Sequence, residues 1–243
     1  MEEWPIHTPP RLLVVMAHPD DGEFMCGGAL AQWTRRGYDL YYCLMTNGDC
    51  GSSDPEMTSE KLVPIRRNES QLASDRLGGT HPVIFLNHVD SQLLPTIDAR
   101  RDVTRVIRQI QPEIVVTQDP TTYYSGQGYI NHPDHRMVGE ITFAAIMPSA
   151  STRLIFPELL AEGLEPYKVK ELYLTNTHNP DRWLELAQED LTRQVEALQS
   201  HQSQISGDPT ERIEANARAD AAEARLHGHD FTFADSFKFF RFR

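Results

Sequence analysis

Two short runs gather side chains that could do chemistry together. In "AHPDDGE" (17–23), His18, Asp20, Asp21 and Glu23 stand directly behind an apolar run, and in "NHPDH" (131–135), His132, Asp134 and His135 follow the loop after a second one. Pro19 favours an extended or turn conformation at His18, so side chains three positions apart can converge where a strand gives way to a helix. Pro133 suits the first turn of a helix, with His132 and His135 facing the same crevice. Two imidazoles and several carboxylates make a hard-to-borderline nitrogen and oxygen site for a divalent metal. Two histidines plus one carboxylate form a zinc set that leaves one position open for water. A single His-Pro-Asp is ordinarily a turn or helix start in which the aspartate caps backbone N–H groups. Two copies behind two apolar strands favour the metal reading.

The elements that must position these residues alternate along the chain. The segments 11–17, 39–46, 83–87, 113–118 and 170–177 read as strands, the first four as near-continuous apolar runs expected of parallel strands buried on both faces. The segments 22–36, 58–77, 98–110 and 134–147 carry apolar residues at helical spacing, and 184–205 and 209–226 read as further helices, the last started by Asp208 or Pro209. This order predicts an α/β fold: a Rossmann-like, doubly wound, mostly parallel sheet in three layers, with residues 1–243 forming a single domain. In such a sheet ligands collect at the carboxyl ends of the strands, near the point where strand order reverses. The candidate strands end in "AHPDD", "TNGD", "NHVD" and "TQDP", so polar residues stand at every exit. Gly27 and Gly28 match no complete dinucleotide loop and are expected to let helix and strand pack closely.

Composition narrows the partners. With 23 basic against 35 acidic residues the net charge is −12, and no Lys/Arg block is present, which disfavours nucleic acid and anionic membrane surfaces. A small neutral or cationic ligand, or one held through a metal, fits better. Cys26, Cys43 and Cys50 have no zinc-finger spacing and leave one thiol over, pointing to a reducing, cytoplasmic setting. The opening "MEEWPIHTPP" is acidic and Pro-rich, unlike a signal peptide, and no apolar stretch approaches the roughly 18–20 residues of a membrane span. The chain reads as soluble.

"AHPDDGEFMCGG" together with "NHPDH" resembles the N-acetylglucosaminyl deacetylase superfamily, the PIG-L/LmbE-like zinc hydrolases that include sugar deacetylases of mycothiol and bacillithiol synthesis. Further matches are "TNGD" (46–49), "RRNESQLASDRLGG" (66–79) and "ALQSHQSQ" (197–204), in the same order along the chain. The resemblance implies that His18, Asp21 and His135 bind Zn2+, with Fe2+ or another divalent ion also compatible. It implies that Asp20 is the general base, that His132 stabilises the oxyanion or protonates the leaving amine, and that Asp134 supports a ligand from behind. The chemistry is coherent. Bound zinc brings a water's pKa to about 7 and polarises the carbonyl, a carboxylate takes the proton, and an imidazolium suits charge developing on oxygen.

The same resemblance makes Arg66 a sugar-hydroxyl contact, although Arg66 and Glu69 at i and i+3 also read as a surface pair. Asn47 and Asp49 either line the pocket or build a turn, as do Asp90 and Asp119. His201 matches a family feature, but a lone helix-face histidine is more often structural. The mycothiol-pathway pattern has a tyrosine two positions before the first histidine of HPDH, where this chain has Ile130, so Tyr123, Tyr124 and Tyr129, on a loop with two glycines, are either candidates for that place or ordinary solvated loop aromatics. The expected activity is hydrolysis of the N-acetyl group from a small N-acetylglucosamine-type sugar, in a chain whose relatives point to trimers or hexamers. The alternatives are an amidase releasing a larger acyl group, and a non-catalytic metal- or sugar-binding protein on the same scaffold.

Overall fold

The computed structural model describes residues 8–242, so most of the acidic opening segment lies outside the described residues. The elements run β1 (Arg11–Met16), α1 (Asp21–Arg35), β2 (Asp39–Thr46), α2 (Ser59–Arg76), β3 (Ile84–His88), α3 (Ile97–Ile110) and β4 (Ile114–Gln118). A two-stranded hairpin follows, β5 (Tyr124–Ser125) and β6 (Tyr129–Ile130), then α4 (Pro133–Ala144), a π-helical turn over Ala145–Ala150 and the short α5 (Pro157–Ala161). The chain ends in β7 (Glu171–Thr175), β8 (Arg182–Glu185), α6 (Gln188–Leu198), α7 (Thr210–Leu226) and β9 (Ala234–Arg241).

Alternation along β1 builds both faces of the sheet, because successive side chains point to opposite sides. Leu13 and Val15 join Val103 and Ile107 of α3 and Val138 and Ile141 of α4 in one core. Leu12, Val14 and Met16 join Leu30 and Trp33 of α1 and Ala73 of α2 in the other. The sheet order is β3-β2-β1-β4-β7-β9-β8, with β1 pairing in parallel with β2 on one side and β4 on the other. Strand order therefore reverses between β1 and β4. The fold is a Rossmann-like, mostly parallel sheet with helices on both faces, and the two His-Pro-Asp runs leave the two strands that flank the switch point.

The structure corrects the reading at the carboxyl-terminal end. Residues 182–185, partly inside the expected helix 184–205, form β8, the helix is confined to Gln188–Leu198, and the unforeseen strand β9 pairs antiparallel with both β7 and β8. An isolated "RWLE" carries no strand period, and it is β9 that gives it a partner. The helix expected over 134–147 stops at Ala144, and Met147 is extended ahead of Pro148. Gly27 lets α1 pack against α6, since a Cβ there would lie 2.6 Å from Gln194 Cγ, and Gly28 lets it approach the strands, since a Cβ there would lie 2.6 Å from Leu186 Cδ1 beyond β8 and 3.2 Å from Asp235 Oδ2 of β9.

Helix α1 is kinked at Cys26, whose φ of −158° and ψ of 22° are non-helical. The polar groups released by the kink are satisfied from outside the helix. Thr175 Oγ1 donates to Met25 O at 2.9 Å, and Ala29 N donates to Asp235 Oδ2 at 2.7 Å. The first turn of α1 is thus aimed by β7 and β9. Burial, reinforced by the charge of Asp220, pushes the Asp235 carboxyl up to about 7. In the unfolded chain it returns to roughly 3.9, so between about pH 4 and pH 7 the folded protein holds a proton the unfolded chain has lost, and stability falls as pH rises. Asp235→Asn keeps an oxygen for Ala29 N and is expected to flatten that fall. Urea unfolding at about pH 5 and about pH 8 measures it, and an unchanged pH slope in the variant would refute the assignment.

Candidate metal centre and active site

The turn between β1 and α1 is built from its own side chains. Ala17 is pinned by Thr46 Oγ1, which donates to its carbonyl at 3.0 Å, and by Gln118 Oε1, which accepts from its N–H at 3.3 Å. His18 N donates to Asp21 Oδ2 at 2.8 Å, closing the turn over the proline. Asp20 takes the left-handed conformation, φ 87°, which aspartate tolerates better than most residues, and so turns away from its neighbour.

Asp21 lies between two imidazoles. Its Oδ2 is 3.3 Å from His18 Nδ1 and its Oδ1 is 3.1 Å from His135 Nε2. Burial pushes the Asp21 carboxyl up, but His135 and His18 together hold it below the usual carboxylate range. Each ring is oriented from behind. His135 Nδ1 is 2.9 Å from Asn131 Oδ1, and His18 Nε2 is 3.3 Å from Asp134 Oδ2 and 3.2 Å from Asp90 Oδ1. With the ring N–H groups donating to those oxygens, the opposite nitrogens, Nδ1 of His18 and Nε2 of His135, face Asp21 and would be the atoms that offer lone pairs to a bound ion. Asp134 is itself fixed by the N–H groups of Ser91 at 2.8 Å and Leu93 at 3.3 Å, and Asp90 by Cys50 N at 2.9 Å. Burial lowers the His18 pKa, yet the Asp21 charge and hydrogen bonds to Asp134, Asp21 and Asp90 carry it up to about 12.

This donor set fits a divalent ion. Donor atoms of His18, His132 and His135 lie within 4.8 Å of one another, as do those of His18, Asp90 and Asp134, and Asp21 spans the two imidazoles that face each other. The excess of buried carboxylate over permanent cation demands positive charge, which a dication meets.

His132 caps α4, its Nδ1 accepting from Asp134 N at 3.2 Å, so its proton resides on Nε2. Burial and the nearby His18 charge lower its pKa, making a neutral N–H donor instead of the imidazolium expected from sequence. Asp20 is held by Arg66, whose Nη2 is 3.1 Å from Asp20 Oδ2. Burial and the Asp21 charge push the Asp20 carboxyl up to about 7, against the opposing pull of Arg66 and His201. That value suits a group that must accept a proton near neutrality.

Several expected substrate contacts are placed differently. Arg66 is not a surface residue: it is buried, donating also to Gly48 O at 2.8 Å and Pro19 O at 2.6 Å. Gly48, φ 64°, leaves it room, since a Cβ there would sit 2.0 Å from Nη1. Glu69 turns from Arg66 to Ser203, whose N and Oγ each donate to it at 2.7 Å, so the late "HQSQ" run latches α2. His201 is fully buried, with Nε2 3.7 Å from Glu23 Oε2. The Asn47 amide is committed to Arg67 and Asn87. Asp49 is half-buried beside the turn, with its carbonyl held by Ser59 Oγ at 3.0 Å. Asp119 builds a turn with Thr121 and Thr177.

Of the loop tyrosines, Tyr129 lines a cavity of about 650 Å³ that opens on Asp21 and His135. Tyr123 is instead covered by Arg136, 4.1 Å above its ring, and Tyr124 lies beside His178. Asn131 was missed as a functional candidate. Its signal was adjacency, since it opens the "NHPDH" run and its amide oxygen orients His135.

Against this geometry, the family model for GlcNAc-PI de-N-acetylase, PIG-L, matches residues 13–146, more than half of the chain. The chain belongs to this family. Membership makes it an N-deacetylase, a hydrolase of amide bonds. It is 28% identical over 228 residues to diacetylchitobiose deacetylase of Thermococcus kodakarensis, covering 93% of this chain and 82% of that one. It is 31% identical over 191 residues to 1D-myo-inositol 2-acetamido-2-deoxy-alpha-D-glucopyranoside deacetylase of Rhodococcus jostii, covering 69% of this chain and 61% of the relative. In three dimensions it is similar to N,N'-diacetylchitobiose deacetylase of Pyrococcus horikoshii, with a TM-score of 0.84 at 24% identity, over 98% of this chain and 88% of the other. That last likeness establishes the fold.

Because Arg66 touches Asp20 and two backbone carbonyls, its loss is expected to act on the Asp20 carboxylate more than on substrate affinity. Arg66→Ala should lower kcat about tenfold or more with KM changed far less. Arg66 lowers the Asp20 pKa, so its removal should shift the rising limb of the pH–rate profile to higher pH. A raised KM with normal kcat and an unmoved limb would restore the sugar-contact reading.

Proposed function

We propose that this chain is a zinc-dependent deacetylase that removes the N-acetyl group from a small N-acetylglucosamine-type sugar or glycoside. The observation that carries the reading is the Asp21 carboxylate between His18 and His135, with Asp20 beside it on the same turn, in a member of a deacetylase family. Relatives named for diacetylchitobiose and for an inositol-linked acetamido sugar support the substrate class. Free thiols at Cys26, Cys43 and Cys50 favour a cytoplasmic setting, and among the described residues no helix is long and apolar enough to cross a membrane.

His18 Nδ1, Asp21 and His135 Nε2 would hold the ion, which when bound supplies a Lewis acid that acidifies water and polarises the amide carbonyl. The remaining steps belong to the protein. Asp20 accepts a proton from the attacking water, and Arg66 keeps that carboxylate facing the reacting atoms. His132 Nε2–H donates to the carbonyl oxygen as charge builds there, stabilising the tetrahedral arrangement. Asp20 returns the proton to the departing amine nitrogen, so that acetate and free amine are formed. Asp134 and Asn131 hold the two imidazoles in the tautomers this scheme requires.

Two variants separate metal holding from proton transfer. His18→Ala and His135→Ala should each lose most of the bound metal, measured by elemental analysis. Asp20→Asn should retain metal while kcat for acetate release falls by ~10²–10⁴-fold, the usual contribution of a positioned general base. Near-normal turnover in Asp20→Asn with full metal would remove Asp20 from the scheme. Release of a longer acid in preference to acetate would favour the amidase alternative.

A further inference from the structure

Ahead of the kink at Cys26, α1 is reduced to the single turn Asp21–Met25, with Asp20 directly before it. A turn cut off from the rest of its helix has few bonds of its own, so its position depends on what grips it from outside. Phe24 and Met25 line the cavity, whose wall also includes Arg212 and Asn216 of α7. Thr175 holds Met25 O, and Gly22 leaves no room for a Cβ beside Tyr42 Oη of β2. A further grip comes from α6 and the residues that follow it. Gln194 Nε2 donates to Glu23 O at 2.7 Å, and His201 Nε2 stands 3.7 Å from Glu23 Oε2.

The same segment sets the other support of Asp20. Ser203 holds Glu69 and with it α2, which carries Arg66, and Gln204 Nε2 donates to Gly51 O at 3.0 Å, in the turn whose Gly48 carbonyl Arg66 engages. His201 thus belongs to a buried group of charges: Glu23, Glu69, Arg66 and His201 are each more than nine-tenths buried, and Arg66 touches Asp20. Burial lowers the His201 pKa, but the carboxylates of Glu23, Asp20 and Glu69 more than offset it and hold the ring above the usual histidine range. Among the described residues no hydrogen bond engages either ring nitrogen. The ring is therefore tied to the turn by charge, which acts strongly in a buried, weakly polar surrounding, and Glu23 is the carboxylate it faces.

Resting on the deacetylase reading above, we propose that His201 is a positioning residue for the hydrolysis: as a buried imidazolium paired with Glu23, it fixes the turn that carries Asp20, so that this carboxylate stands ready for the attacking water. Glu23 follows Asp20 by three positions, on the same side of the turn, so a shift of one moves the other. A histidine that only filled the core would leave the turnover of each folded, metal-loaded molecule unchanged.

The test measures acetate release from N,N'-diacetylchitobiose by metal-loaded His201→Gln, which keeps a polar side chain and removes the charge, and by Glu23→Gln, which removes its partner. A misplacement of about 1 Å can cost ~10²-fold, so each variant should lose about tenfold or more in kcat, with KM changed by less than about twofold. Bound metal should stay at the parent level by elemental analysis, and thermal unfolding checks that each variant is folded. Because the two residues act as a pair, the double variant should lose no more than the worse single one. Parent kcat in folded, metal-loaded His201→Gln, or a loss of metal in proportion to activity, would overturn the positioning role. The proton–nitrogen correlation spectrum of the His201 ring in the parent is a readout independent of turnover and of whether the variants fold. Both nitrogens should stay protonated to higher pH than in an ordinary histidine, of pKa about 6.5, and a ring that turns neutral at or below that pH would equally overturn the proposal. Failure of the parent to release acetate from any acetylated amino sugar would instead overturn the deacetylase reading, while the spectrum would still decide the pairing of His201 with Glu23.

Discussion

The carboxylate of Asp21, held between the imidazoles of His18 and His135, is the contact on which the arrangement of the site depends. A buried carboxylate by itself is costly, and it persists because positive or polarised groups face both oxygens. Those groups come from distant parts of the chain: His18 from the exit of β1, His135 from the first turn of α4 after β4. They meet only because β1 pairs directly with β4 while β2 lies on the other side of β1. Asn131 behind His135, and Asp134 and Asp90 behind His18, then orient the rings. Removing any one of these supports would leave a buried polar group unpaired, so the site is rigid for the same reason that it is polar.

A second constraint governs Asp20. A left-handed residue directly before a helix costs free energy, of order 1–3 kcal/mol where the side chain is unsuited to it. Here that conformation separates two consecutive aspartates, sending Asp21 to the imidazoles and Asp20 to Arg66. Arg66 in turn reaches Pro19 O and Gly48 O only because Gly48 has no side chain, and the α2 helix that carries Arg66 is latched by Ser203 on Glu69. Residues from four separate stretches of sequence therefore brace one carboxylate, and two consecutive aspartates are kept in different electrostatic surroundings.

The strand and helix order up to α4 was legible because buried parallel strands are apolar on both faces and the helices between them carry a clear apolar stripe. The end of the chain was not, because β8 is an edge strand of four residues that, among the described residues, pairs with β9 alone. In "ADSFKFFR" the Phe237 ring is buried and Asp235 reaches α1, a division of labour that period alone does not announce. Arg66 and Glu69 illustrate the same limit at the site. Their spacing on a helix is compatible with a surface pair, a sugar contact or a buried brace, and the choice among these depends on what packs over that face of α2.

Sequence by itself determined which residue types gather at the site: imidazoles and neighbouring aspartates behind buried strands, with prolines that set the local turns, in the pattern of a deacetylase family. Those features are local, carried by residue type and by backbone preferences over three or four positions. Tertiary structure alone decided which carboxylate each imidazole faces, that Arg66 braces Asp20 from inside, that Asn131 orients His135, and that α7 forms one wall of the cavity. Each of these pairs residues far apart along the chain, and their distances depend on sheet order and helix packing, which no local pattern encodes.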